Sequence, residues 1–443
     1  MLIALLTGML ALTPEPPAQA PEPSATTTPA GEQQGGNKPQ QTGVRLVWDD
    51  RPSLRVGSRL RVDFIGKFQW DARQAGDDPP SFTSMELQRA RVGVEGVFLR
   101  HFEFNLEREL TERELVEGSR SAKPWKDAYI EIDYTDLARV RVGKFKVPFG
   151  LDQLTSIANL DFIYRSLGAS SLTPARDIGV MVSGRLFGPK WNYSAGVFRH
   201  DGDNARSGKI AGGDETGAVR VTVAPFRRQG ASLLDQLEIG SAFAVSALSS
   251  DPELPNGLRG RTMVSRYLFF EPVYVNGRRQ RFEVDVDWTW EALGVRAEYT
   301  DVRDTRDDQG FRDNDLPAAR ARSWYVSGAY VLTGENKNRP VNPRREFVRD
   351  GMAAAGALEV VGRYERLRFD SGKGQDEPFR HPRAETILPN SDRALTVGLN
   401  WYINRWAKVQ IHGVRERLED EERNPVPGDK AFWNTLLRLQ FTL

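Results

Sequence analysis

Residues 59–70 read Arg-Leu-Arg-Val-Asp-Phe-Ile-Gly-Lys-Phe-Gln-Trp. Leu60, Val62, Phe64, Phe68 and Trp70 fall on one parity, and Arg59, Arg61, Asp63, Lys67 and Gln69 on the other. Successive side chains of a β-strand point to opposite faces, so this pattern predicts a strand with one apolar and one charged face. Its length suits a tilted transmembrane strand, which needs ~9–11 residues. A soluble amphipathic strand has the same signature, so repetition along the chain must decide.

The pattern returns about sixteen times between Val44 and Leu443. Phe282, Val284, Val286, Trp288 and Trp290 oppose Glu283, Asp285 and Asp287, and the chain ends with Leu437, Leu439, Phe441 and Leu443 against Arg438, Gln440 and Thr442. Connections alternate in length. Leu99 to His101, Thr135 to Leu137 and Asn404 to Trp406 are short, whereas Thr111 to Pro124, Lys146 to Arg176 and Ala247 to Arg281 are long. Outer-membrane barrels alternate short periplasmic turns with long external loops in this way. Gly334 to Ala355 is an unexpectedly long link on the short-turn side. Aromatic residues sit at both ends of the apolar face: Tyr134, Trp191, Tyr193, Trp290 and Trp401 at one, Trp70, Trp324 and Trp433 at the other. Such girdles mark the two interfaces of a spanning barrel. The expected fold is therefore all-β, a transmembrane antiparallel barrel of about sixteen strands over residues 44–443.

Composition agrees. A mean hydropathy of -0.50 and 39% hydrophobic residues exclude a helical membrane protein but not a barrel, which spreads its apolar content over alternate positions. Sixty-one basic residues against 60 acidic ones argue against a nucleic-acid binder. There is no Cys, and the four His form no metal-ligand motif, so neither metal nor cofactor is expected. Leu2 to Leu12 has the length of a signal-peptide apolar region, with Ala18-Gln19-Ala20 as a small-residue cleavage site, although no basic residue precedes it. Residues 1–20 are expected to be a leader, and 21–43, rich in Pro, a flexible linker.

Residues 143–180, GKFKVPFGLDQLTSIANLDFIYRSLGASSLTPARDIGV, resemble the phosphate-selective porin O and P family. A second match is Leu332-Thr333-Gly334-Glu335-Asn336, followed by Gly356 to Tyr364. The resemblance implies a trimeric porin of the bacterial outer membrane whose third external loop, here about Lys146 to Arg176, folds into the lumen. It also accounts for the long link at Gly334 to Ala355. The partners it implies are outer-membrane lipid and small anionic solutes such as phosphate or polyphosphate.

Lumen chemistry follows from parity. Arg59, Arg61, Arg89, Arg91, Arg139 and Arg141 face inward, as do Glu103, Glu107, Asp127, Glu131 and Asp133 on neighbouring strands. Opposed charges would place a field across the pore, and guanidinium forks suit phosphate and carboxylate oxygens. The competing reading is that these charges simply pair along the wall. Lys144, Lys146, Arg165 and Arg176, in or beside the third loop, are the favoured constriction residues; the alternative is that they anchor the loop to carboxylates such as Asp161 or Asp177. Two other classes stay open: a plugged structural or adhesion barrel, and a barrel hydrolase built on His200-Asp201 or His412. No Gly-x-Ser-x-Gly, phosphate-loop or paired-His motif supports catalysis.

Overall fold

The computed structural model describes residues 43–443 except 49, 77–80, 112–113, 116–118, 121–124, 203–214, 228–231, 251–252 and 348–353. The expected leader, and the linker up to residue 42, lie outside the described residues.

One sheet of 18 strands contains an N-terminal hairpin of two strands and a closed barrel of the remaining sixteen. The barrel strands are β1 Leu60–Ala75, β2 Ser81–Phe98, β3 Phe102–Glu109, β4 Trp125–Thr135, β5 Ala138–Lys146, β6 Arg176–Leu186, β7 Trp191–Phe198 and β8 Thr216–Val223. They continue as β9 Glu238–Leu248, β10 Gly277–Trp290, β11 Leu293–Arg306, β12 Leu316–Val331, β13 Ala357–Ser371, β14 Asn390–Tyr402, β15 Ala407–Leu418 and β16 Phe432–Thr442. Every neighbour is antiparallel, and β16 closes on β1 with Phe441 opposite Phe68 and Leu439 opposite Trp70. Closure leaves no edge, so each backbone polar group within the bilayer is paired between strands.

The alternating pattern places the barrel's start at Val44, whereas the structure places it at Leu60. Val44–Trp48 and Pro52–Val56 form a hairpin that pairs with the first residues of β1, Leu54 opposite Val62. Gly57, with φ 53°, turns the chain back before β1 can begin.

Side chains obey the predicted alternation. On β10, Arg279, Arg281, Glu283 and Asp285 are buried inward while Phe282 and Val284 are exposed outward. Val326, Leu395, Val397 and Ile411 continue the outward apolar band. Trp324 and Tyr364 meet at 5.5 Å within the girdle at the long-loop end. Strand length is uneven around the barrel: β3, β7 and β8 have 8 residues each, β12 has 16 and β13 has 15.

The interior is not uniformly charged. Inward residues Val302, Ala321, Leu367, Phe369, Val414, Leu418 and Leu436 of β11–β16 join a buried apolar cluster. The 249–276 connection contributes Met263, Val264, Phe269, Phe270, Val273 and Val275 to it, and the 147–175 connection contributes Ile163, Leu167 and Leu172. Residues of both connections thus pack in one apolar cluster with side chains of β11–β16.

Ile411 stands outward near the middle of β15. Ile411→Lys should cost about 2–4 kcal/mol at the bilayer midplane. A heat-modifiability assay should show a smaller folded fraction than the wild type, and an unchanged fraction would reverse the inward–outward assignment of β15.

Candidate permeation site

Most wall cations are paired or hydrogen-bonded on the same or a nearby strand. Arg91 bonds Glu107 at 3.2 Å and Glu109 at 2.8 Å, and Lys67 also pairs with Glu107. Arg141 bonds Glu131 at 2.6 Å and lies 4.2 Å over the Tyr129 ring. Arg139 reaches Asp133 at 3.3 Å, and Arg61 holds Asp63 at 2.7 Å. Arg89 donates to Gln69 Oε1 at 2.6 Å. Arg438 of β16 forms a fork to Asp71 of β1, with bonds of 2.7 and 2.6 Å, and its third nitrogen donates to the Ile163 carbonyl. Charges on neighbouring strands therefore pair along the wall.

The 147–175 segment is the other half of the site. It leaves β5 through Pro148 and Gly150, whose φ of 79° is open to glycine; a Cβ there would lie 3.0 Å from Thr173 Cγ2. Two short helical turns follow, Leu151–Leu154 and Leu167–Ser171, the second capped by Ser166 Oγ accepting from Ala169 N–H. Its backbone is bonded to inward side chains of distant strands. Gln440 Nε2 donates to the Ala158 carbonyl at 2.9 Å, Lys408 Nζ to that of Leu160 at 3.0 Å and Asn400 Nδ2 to that of Asp161 at 2.8 Å. His412 Nδ1 accepts from Ile163 N–H at 3.3 Å, and a Glu298 oxygen accepts from Asp152 N–H at 2.9 Å.

Within this segment the cations differ from those of the wall. Arg176 is anchored, forking to Asp127 at 3.1 and 2.7 Å. Lys146 Nζ instead donates to the carbonyls of Leu154 and Thr155, both at 2.9 Å, and Arg165 donates to the same Thr155 carbonyl at 2.8 Å. Neither makes an ion pair among the described residues. Arg165 Nη1 is buried with no hydrogen-bond partner, and burial pushes its guanidinium down to about 10, which leaves it protonated at neutral pH. Beside Lys146 lies a cavity of about 370 Å³ lined by Asn105, Asp127, Tyr129, Arg141, Arg220 and Thr222.

Two expected site residues lie elsewhere. Arg59 sits exposed in the turn before β1 rather than on the wall, because the hairpin's return takes up that position. Lys144 stands on the outward parity of β5, in register with Ala128 and exposed Ile178. Gly143, with φ 130°, precedes it. The histidines are held by structural partners. His412 lies between Ile163 and Asn400, and His200 against Asp177, while Asp201 is committed to Arg279 and Arg281.

Three functional candidates escaped the sequence reading. Arg220 is the lone cation of β8 and bonds Glu283 at 2.8 Å and Asp285 at 2.6 Å. Lys337 and Arg339 come from the long link at the short-turn end. Lys337 Nζ lies 2.6 Å from Asp161 and 2.5 Å from Glu359, and Arg339 lies 3.5 Å from Asp161 and 3.0 Å from Asp287. Burial alone would raise the Asp161 carboxyl, but Lys337 and Arg339 outweigh it and hold the carboxyl well below the usual range. A lone Arg at an inward position of an otherwise apolar strand was the legible signal for Arg220; the aperiodic link offered none.

Lys337 is fully enclosed by its two carboxylates. Lys337→Met should lower stability by about 3–5 kcal/mol, since it removes the cation that two buried carboxylates share. Adding Glu359→Gln should recover part of the loss in thermal denaturation. No loss in the single variant would remove the link from this network.

Porin O of Pseudomonas aeruginosa is 21% identical over 429 residues, covering 90% of each chain. The trimer form of OmpT, an outer membrane protein of Vibrio cholerae, superposes with a TM-score of 0.52 at 13% identity, over 87% of this chain and 100% of that one. The outer membrane channel DcaP of Acinetobacter baumannii gives 0.50 at 9% identity, over 87% and 98%. A family model, phosphate-selective porin O and P, matches residues 62–443, so nearly the whole described barrel is spanned by it. The chain belongs to the phosphate-selective porin O and P family and is an outer-membrane porin.

Proposed function

We propose that the chain is a passive diffusion channel for small hydrophilic anions, phosphate and polyphosphate among them, and that its preference is set in the third external connection rather than on the wall. The observation that carries this reading is the buried guanidinium of Arg165, which shares the Thr155 carbonyl with Lys146 and makes no ion pair among the described residues. Wall arginines such as Arg91 are already neutralised by hydrogen-bonded carboxylates. A cation whose own protein does not compensate it gains most from an arriving anion, and at a narrow, partly desolvated point its field is weakly screened. The bonds from 147–175 to β14–β16 support its role as an inward-folded constriction, with passage confined to the side of the 370 Å³ cavity. The family's name points to the same solute class. Passage needs no catalytic step.

The channel is proposed to act as a homotrimer. The trimer form of the Vibrio neighbour supports this, as does the sector of short strands with apolar outward faces, including Ile178, Val197 and Val219.

Reversal potentials in a salt gradient test the reading. The wild type should favour anions, less so as salt rises past the point where the Debye length is ~8–10 Å. Lys146→Gln with Arg165→Gln should shift the potential towards cation preference. Arg89→Gln with Arg91→Gln should shift it less, because Glu107 and Glu109 already offset Arg91. A loop variant unchanged from wild type contradicts the assignment. Absence of steady conductance in a planar bilayer would instead favour a plugged structural barrel, the reading suggested by the apolar packing of 249–276.

A further inference from the structure

The outward face at the long-loop end carries a second set of cations that permeation does not use. We propose that this face, on β10–β15, binds the phosphorylated headgroup of an outer-leaflet lipid.

Arg366, Arg393 and Arg417 stand directly opposite one another on β13, β14 and β15, in the row that begins with Tyr299 and Trp324. Arg415, between Leu395 and Trp433, occupies the next row towards the bilayer centre. Like charges facing across strands repel, so such a row is unfavourable unless something neutralises it. The protein does so only in part. Asp301, Asp370 and Glu419 serve Arg320, Arg322, Arg366 and Arg368. Arg303, Arg393, Arg415 and Arg417 are exposed and make no ion pair among the described residues. Arg366 Nε is buried without a hydrogen-bond partner.

Height explains what the row meets. Interfacial aromatics sit at headgroup level, and these arginines lie at or just beyond Trp324, Tyr364 and Trp433, where a lipid-facing cation costs little. Beside the row is an outward cavity of about 940 Å³. Phe243 and Phe282, paired across β9 and β10, line its apolar side; Arg303, Arg320 and Lys373 line its other side, where Asp301 and Asp370 are already engaged by Arg320, Arg322 and Arg368. An apolar floor under a cationic rim matches an acyl chain bearing a phosphate. The corresponding outward positions on β6–β8, Ile178, Val197 and Val219, are apolar, so the cationic face is a sector and not a general property of the rim.

The test uses the purified full-length channel in neutral detergent. Its heat-denaturation temperature is followed while a phosphorylated, multiply acylated glycolipid, the same lipid after phosphatase treatment, or inorganic phosphate is titrated in. The phosphorylated lipid should stabilise the wild type, and the other two should not. Arg303→Gln, Arg393→Gln and Arg417→Gln combined should weaken the lipid response roughly a hundredfold, from the usual contribution of a cation at an anionic surface. Conductance should be unchanged, since none of the three faces the lumen. Equal stabilisation by the dephosphorylated lipid or by inorganic phosphate overturns the proposal. So does a triple variant that keeps the wild-type response, or one whose subunits dissociate with lipid affinity intact, which would make the row a subunit contact. The wild-type comparison of the two lipids needs no variant and decides the matter even if the triple variant fails to fold.

Discussion

Closure of sixteen strands forces every second side chain into a confined interior, and the structure depends on how that interior is compensated. A buried charge must be paired, hydrogen-bonded or neutralised. On the wall, compensation is lateral: a cation on one strand meets a carboxylate on the next, as Arg438 meets Asp71 and Arg141 meets Glu131. Polar wall groups that already bond one another across strands also reach the 147–175 backbone. Lys408, Asn400, Gln410 and Gln440 all donate to its carbonyls, so the segment and the far wall satisfy each other's hydrogen-bonding needs.

This arrangement separates cations paired with carboxylates from side chains held by backbone carbonyls. Arg91 and Arg176 are locked into ion pairs that the barrel needs for its own cohesion. Lys146 and Arg165 are held in place by backbone carbonyls instead. Asp161, clamped by Lys337 and Arg339, ties the same segment to the opposite mouth of the barrel. The 147–175 segment is thereby bonded to the wall strands, to the 332–356 link and through its own helical turns.

Much of this was legible in the sequence. Period-two alternation carries the barrel because lipid imposes an apolar face on nearly every strand, from Leu60 to Phe441. The 143–180 motif located the segment that holds Lys146 and Arg165. Three things were not legible. The Val44–Val56 hairpin alternates like a barrel strand, and only its pairing shows that it folds back on β1. Inward apolar residues such as Leu367, Phe369 and Val414 cannot be told from outward ones until a partner segment, 249–276, is seen packed against them. Lys337 and Arg339 lie in a link without periodicity, so nothing local announced that they reach buried carboxylates.

The account turns on the 147–175 segment being bonded to the far wall of the lumen, and a chain without cysteine allows this to be measured directly. Ala158→Cys and Gln440→Cys place one thiol on the segment and one on β16, positions 282 residues apart that are joined here by a 2.9 Å hydrogen bond. Treated with a short bifunctional thiol reagent in native membranes, the folded channel should cross-link nearly quantitatively within one chain. Cross-linking that is absent in the folded barrel, or that appears only after denaturation, would contradict the account.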